Sequence, residues 1–98
     1  MEFLADMRIF VPDGTPDSEV RDTQAREAVR ASELAAQGHL LRLWKPPVET
    51  GEWRTIGLWR ADGEKELQEV LVTLPLHVWM KVDVTPLASH PNDPGSST

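Results

Sequence analysis

Few side chains in this chain could hold or move a proton in a defined place, and Glu27 leads them. Val20, Gln24, Glu27, Ala31, Leu34 and Ala35 recur at helical spacing, with Ala28 flanking them. The carboxyl therefore falls in the middle of an apolar stripe made mostly of small residues. Desolvation there disfavours the charged form and lifts the pKa, which suits a base working near neutral pH. Alanines beside the acid also leave room between the helix and whatever it covers. The alternatives are a structural ion pair with Arg8, Arg30 or Arg54, or a stripe rotated far enough to expose the acid.

The cations come next. Lys45, Arg54 and Arg60 stand near strand ends, and strand parity places them on the helix-facing side. Each could hold a substrate carboxylate or an enolate oxygen, or else lay its stem along the core edge with its head in water. His39, His77 and His90 are too scattered for metal-ligand spacing, so no metal site is expected. The chain has no Cys, hence no disulfide framework and no thiolate ligand or nucleophile. It also has no Gly-rich phosphate loop and no arguable Ser-His-Asp set.

The elements that must position these groups follow from periodicity. Glu2 to Val11 alternates as a strand and ends at the turn residues Pro12-Asp13-Gly14. Thr15 reads as the N-cap and Pro16 as the first residue of a helix running to about Gln37, with Gly38 as its stop. His39 to Lys45 and Trp53 to Arg60 are strands around a Pro46-Pro47 and Gly51 loop. Asp62 caps a short helix with Leu67, Val70, Leu71 and Leu74 as its stripe. Pro75 stops that helix. Alternation from Leu76 to Val84 then predicts the last strand, with Leu76, Val78, Met80, Val82 and Val84 on one face and His77 and Trp79 on the other.

The order β-α-β-β-α-β is that of a ferredoxin-like α+β fold, with two helices on one face of a four-stranded antiparallel sheet. If Met7, Leu41, Leu43, Ile56, Met80 and Val82 face the helices, Trp44, Trp53, Trp59 and Trp79 all fall on the uncovered face. So large an aromatic patch implies either a second subunit packed sheet to sheet or a stacking platform for a ligand. His77 on that face reads as an interfacial histidine. Residues 1–88 are expected to form the domain and residues 89–98 a polar tail.

Composition excludes several classes. A net charge of −6 argues against a nucleic-acid partner, which needs clustered Lys and Arg. No apolar run approaches the ~20 residues of a membrane span, and the first residues carry no leader pattern, so the expected compartment is the cytoplasm.

In order and spacing, the sequence resembles the muconolactone Δ-isomerases, cofactor-free enzymes of aromatic catabolism. Met7 lies in the first strand and Ala25-Arg26-Glu27 in the first helix. Gly38 precedes Leu43-Trp44-Lys45, and Gly51 precedes Trp53. Leu74-Pro75-Leu76, Met80 and His90-Pro91 complete the match. The resemblance implies a dimeric α+β barrel, dimers gathered into larger rings, and a proton moved through a dienolate of an unsaturated lactone without metal or cofactor. It sets Glu27 at the family's glutamate and Lys45 where members often carry arginine. The expected substrate-binding set is Lys45, Arg54, Trp44, Trp53 and His77. His77-Val78-Trp79 stands in place of a Phe-Pro-Tyr-like run, and Arg54 and Arg60 replace small, polar or acidic residues. The rival classes are a binding module or monooxygenase-like protein on the same fold, acting on another small aromatic or polyketide-type molecule, and a purely structural ring protein.

Overall fold

The polypeptide, seen in a computed structural model that describes residues 1–95, folds as β1 (Glu2–Ile9), α1 (Asp17–Ala36), β2 (Leu40–Trp44), β3 (Arg54–Arg60), α2 (Glu64–Leu71) and β4 (Met80–Leu87). The strands form one antiparallel sheet in the order β2-β3-β1-β4, the ferredoxin-like arrangement. Residues 96–98 of the expected tail lie outside the described residues. Among the described residues no helix is long and apolar enough to cross a membrane, and no group of three His, Cys, Asp or Glu side chains could hold a metal ion.

Both helices lie on the sheet face that carries Phe3, Ala5 and Met7. These three are buried with Leu34 of α1 and Leu67 and Leu71 of α2. The end of α1 follows its sequence signal. Gly38 takes φ +84°, its N–H donates to the Ala35 carbonyl at 3.1 Å, and the His39 N–H donates to the Leu34 carbonyl at 2.9 Å. This paired closure satisfies two helix-end carbonyls and needs a residue tolerant of left-handed backbone. The starts differ from expectation. The Thr15 hydroxyl donates to the Pro12 carbonyl and caps no helix, and α2 begins after Gly63 with no side-chain cap from Asp62. The Asp62 N–H instead donates to the Glu66 carboxylate at 3.0 Å.

Three facings depart from the alternation argument. In β3 the register sets Phe3 opposite Trp59, Ala5 opposite Gly57 and Met7 opposite Thr55. Trp59 therefore lies under the helices, only 1% exposed, while Ile56 and Leu58 face away. Both parities of this strand are apolar, so alternation cannot choose between them. The choice follows from volume, because the small α1 stripe leaves room that an indole fills.

In β2 an irregularity between Leu40 and Arg42 lets Leu40 and Leu43 share the helix side, opposite Trp59 and Gly57, while Arg42 and Trp44 face out. Of the four expected outward tryptophans, Trp44 is placed there by strand pairing and Trp59 is placed opposite. The last strand also starts later than predicted. Pro75–Trp79 is a 3-10 turn in which the His77 N–H donates to the Leu74 carbonyl. Leu76 is buried, and Val78, expected on the same face, is 78% exposed. Proline at the turn's first position has the φ such a turn needs. His77 and Trp79 thus belong to the turn and to neither sheet face.

Candidate active site

Between α1 and the sheet lies a crevice of about 270 Å³. Its roof is the α1 stripe of Gln24, Glu27, Ala28 and Ala31, and its floor includes Met7, Leu43, Thr55 and Trp59. Trp53 closes one end, and Leu74 and Leu76 line the wall that leads into the 3-10 turn. The alanines make the space: a larger residue at Ala28 or Ala31 would fill it.

Glu27 is the only ionisable residue among those lining this crevice. Its Oε1 accepts the Leu76 backbone N–H at 2.9 Å. Burial pushes its carboxyl above the ordinary value, against the opposing pull of that N–H. No arginine pairs with it: Arg30 donates to Thr73 and Glu33, and Arg54 to Asp6. One oxygen held by a backbone donor and no counter-ion describes a carboxyl that can take and return a proton.

The structure separates the other expected site residues. Arg54 faces the open side of the sheet, where it forks onto both Asp6 oxygens at 2.8 and 2.6 Å. That bidentate hydrogen bonding holds the Asp6 carboxyl below its ordinary range, with Arg8 3.9 Å from the same carboxylate. Arg60 faces the same side and pairs with Glu2 at 3.0 Å. The parity that put both arginines under the helices fails with the β3 reversal. Trp44 also lies on the open face, its ring beneath the Arg42 guanidinium at 5.3 Å. His77 sits half-buried in the 3-10 turn and is not among the crevice residues.

Trp53 does line the crevice. It also borders a second hollow of about 360 Å³ at the sheet end, together with Arg8, Glu52 and Arg54. Lys45 is exposed one residue beyond β2, where continued alternation would set it on the side of Leu43.

Trp59 escaped the sequence reading as a site residue. Alternation sets it among the outward tryptophans, and a sequence says nothing of where its nitrogen ends. The indole Nε1 is buried and has no hydrogen-bond partner among the described residues.

The muconolactone delta-isomerase family model matches residues 1–93. The chain belongs to that family. It is 33% identical over 92 residues to a muconolactone Delta-isomerase of Cupriavidus pinatubonensis, covering 94% of this chain and 97% of that one. A second relative from Acinetobacter lwoffii is 30% identical over the same share of this chain and 93% of its own. A solved muconolactone isomerase superposes with a TM-score of 0.85 at 24% identity, over 99% of this chain and 98% of the other. A 5-chloro-2-hydroxyhydroquinone dehydrochlorinase from Burkholderia phenoliruptrix shares the fold more loosely, with a TM-score of 0.63 at 16% identity over 92% and 96% of the two chains. Membership accounts for the element order. It leaves to this chain's own residues the question of what holds the substrate.

Proposed function

We propose that this protein isomerises an unsaturated lactone of the muconolactone type to its enol-lactone in the catabolism of aromatic compounds, with Glu27 as the single proton carrier. The Glu27 carboxylate takes the proton from the ring carbon that bears the substrate's side chain. The electron pair moves through the double bond onto the carbonyl oxygen, giving a dienolate. The same carboxyl then returns the proton to the carbon beside the carbonyl, and the double bond ends one position over with no net oxidation.

The observation that carries this reading is one acid in a mostly apolar crevice, its pKa raised by burial, one oxygen fixed by the Leu76 N–H and no cation among the lining residues. A space of about 270 Å³ lies just under the ~300–1,000 Å³ of pockets for drug-sized ligands, which suits one small ring with a short side chain. The same figure disfavours a monooxygenase-like role on a polycyclic molecule. Lys45, exposed one residue past β2, is the cation we assign to the side-chain carboxylate, since Arg54 is engaged by Asp6 on the opposite face.

The open sheet face, with Leu4, Leu58, Ile56 and Trp44, is the surface on which a second copy would pack, and the enzyme would work in the cytoplasm as at least a dimer. The Glu27→Gln variant tests the chemistry. It keeps the shape and the acceptor for the Leu76 N–H, and solvent-proton exchange into the lactone should fall ~10²–10⁴-fold. Turnover of muconolactone by Glu27→Gln at the wild-type rate would refute the assignment.

A further inference from the structure

We propose that the Trp59 indole N–H is the hydrogen-bond donor that receives the lactone carbonyl oxygen in the crevice and holds it as the dienolate forms. The proposal rests on the isomerase reading and adds the electrophilic half of the site. Trp59 is 1% exposed, and its Nε1 is the buried side-chain nitrogen or oxygen left without a partner among the described residues. A buried donor without an acceptor carries its full desolvation cost, and a phenylalanine would supply much the same apolar body without one.

The nitrogen lies on the helix-facing side of the sheet, over Gly57. A Cβ at residue 57 would stand 2.5 Å from Nε1, 3.1 Å from the Met7 Cε and 3.2 Å from a Leu43 δ carbon. Gly57 is therefore a gap over which the indole lies, and the nitrogen shares that spot with the flexible tips of two crevice residues. Leu43 is 47% exposed, so an entering ligand can turn its tip aside, and the Met7 methyl, though buried, ends a flexible thioether chain. The indole N–H only donates, so it cannot compete with the substrate as an acceptor. The Leu76 N–H is already committed to Glu27. In a crevice with no cation among its lining residues, a fixed donor shielded from water is the group suited to a growing negative charge.

Two measurements test this. In Trp59→Phe, kcat on muconolactone should fall ~10²–10³-fold, the loss typical of one oxyanion donor. KM should change far less, and the acidic limb of the pH profile, set by Glu27, should stay in place. Independently of any variant, the wild-type protein labelled with ¹⁵N at indole is titrated with the saturated lactone that carries the same carboxymethyl side chain. The indole resonance with cross-relaxation to the Met7 methyl should move downfield and exchange more slowly with solvent. A Trp59→Phe protein with wild-type kcat, or a Met7-linked indole resonance that stays still while the lactone saturates the protein, overturns the proposal alone. A wild-type protein that neither binds nor isomerises the lactones overturns the isomerase reading and this proposal with it.

Discussion

Gly57→Ala isolates the contact on which the crevice floor depends. The added methyl would sit 2.5 Å from the Trp59 Nε1, so the indole must withdraw about 0.9 Å to reach the 3.4 Å of ordinary contact. Met7 and Leu43 can yield at their tips, but the indole is rigid and packed in the buried cluster with Phe3, Leu34 and Leu67. Overpacking of this kind costs ~1–3 kcal/mol. Gly57 has no positive φ, so alanine recovers roughly 0.5–1 kcal/mol of the strand propensity that glycine forfeits. The net expectation is a loss centred on about 1 kcal/mol. At fixed protein concentration this reads as a fall of roughly 1 M in the urea midpoint with the slope unchanged. Because the cost is assigned to one pair, it should largely vanish in a Trp59→Leu background, where the side chain stops short of the nitrogen's position. A Gly57→Ala protein with an unchanged or higher midpoint, or an equal loss in both backgrounds, would show that the indole does not lean on this glycine.

The remaining expectations concern charge and assembly. Burial raises the Glu27 pKa, so the stability linked to its neutral form is fully present below the ordinary 4.5 and is lost as pH rises through the higher folded value. Glu27→Gln should therefore be at least as stable as its parent at neutral pH, with the difference fading in acid, as denaturant midpoints across pH would record. Asp6 behaves oppositely. Hydrogen bonding to Arg54 lowers its pKa, so its contribution is present above the ordinary 3.8 and is lost as pH falls through the lower folded value. Asp6→Asn should cost about 1 kcal/mol at neutral pH, discounted for the pair's partial exposure, and that gap should close in acid. Trp44→Asp places a charge on the open sheet face and should give a folded monomer by sedimentation; an intact dimer would move the subunit contact elsewhere.

The element order, the Gly38 stop and the placing of Glu27 were legible because each rests on a one-dimensional signal: period, cap or stripe. Facing was harder. In β3, Ile56 and Leu58 oppose Trp53 and Trp59, so two apolar parities compete, and the answer depends on the volume left by α1, a tertiary quantity. Arg54 and Arg60 inherited that reversal. The segment from Pro75 to Trp79 mimics strand alternation in composition, while proline geometry drives a turn. The unpartnered Nε1 of Trp59 could not be seen at all, since sequence counts a donor without showing its surroundings.

The irregularity in β2 works like a shift of reading frame. Counting strictly from Leu40, Leu43 would point outward and Trp44 inward. With the slip before Arg42 these destinations are exchanged, so Leu43 meets the ligand space and Trp44 the outer surface. The crevice lining and the open sheet face thus receive adjacent residues through one irregularity in the strand. Gain or loss of a residue at Leu41 would exchange the two destinations in a single event.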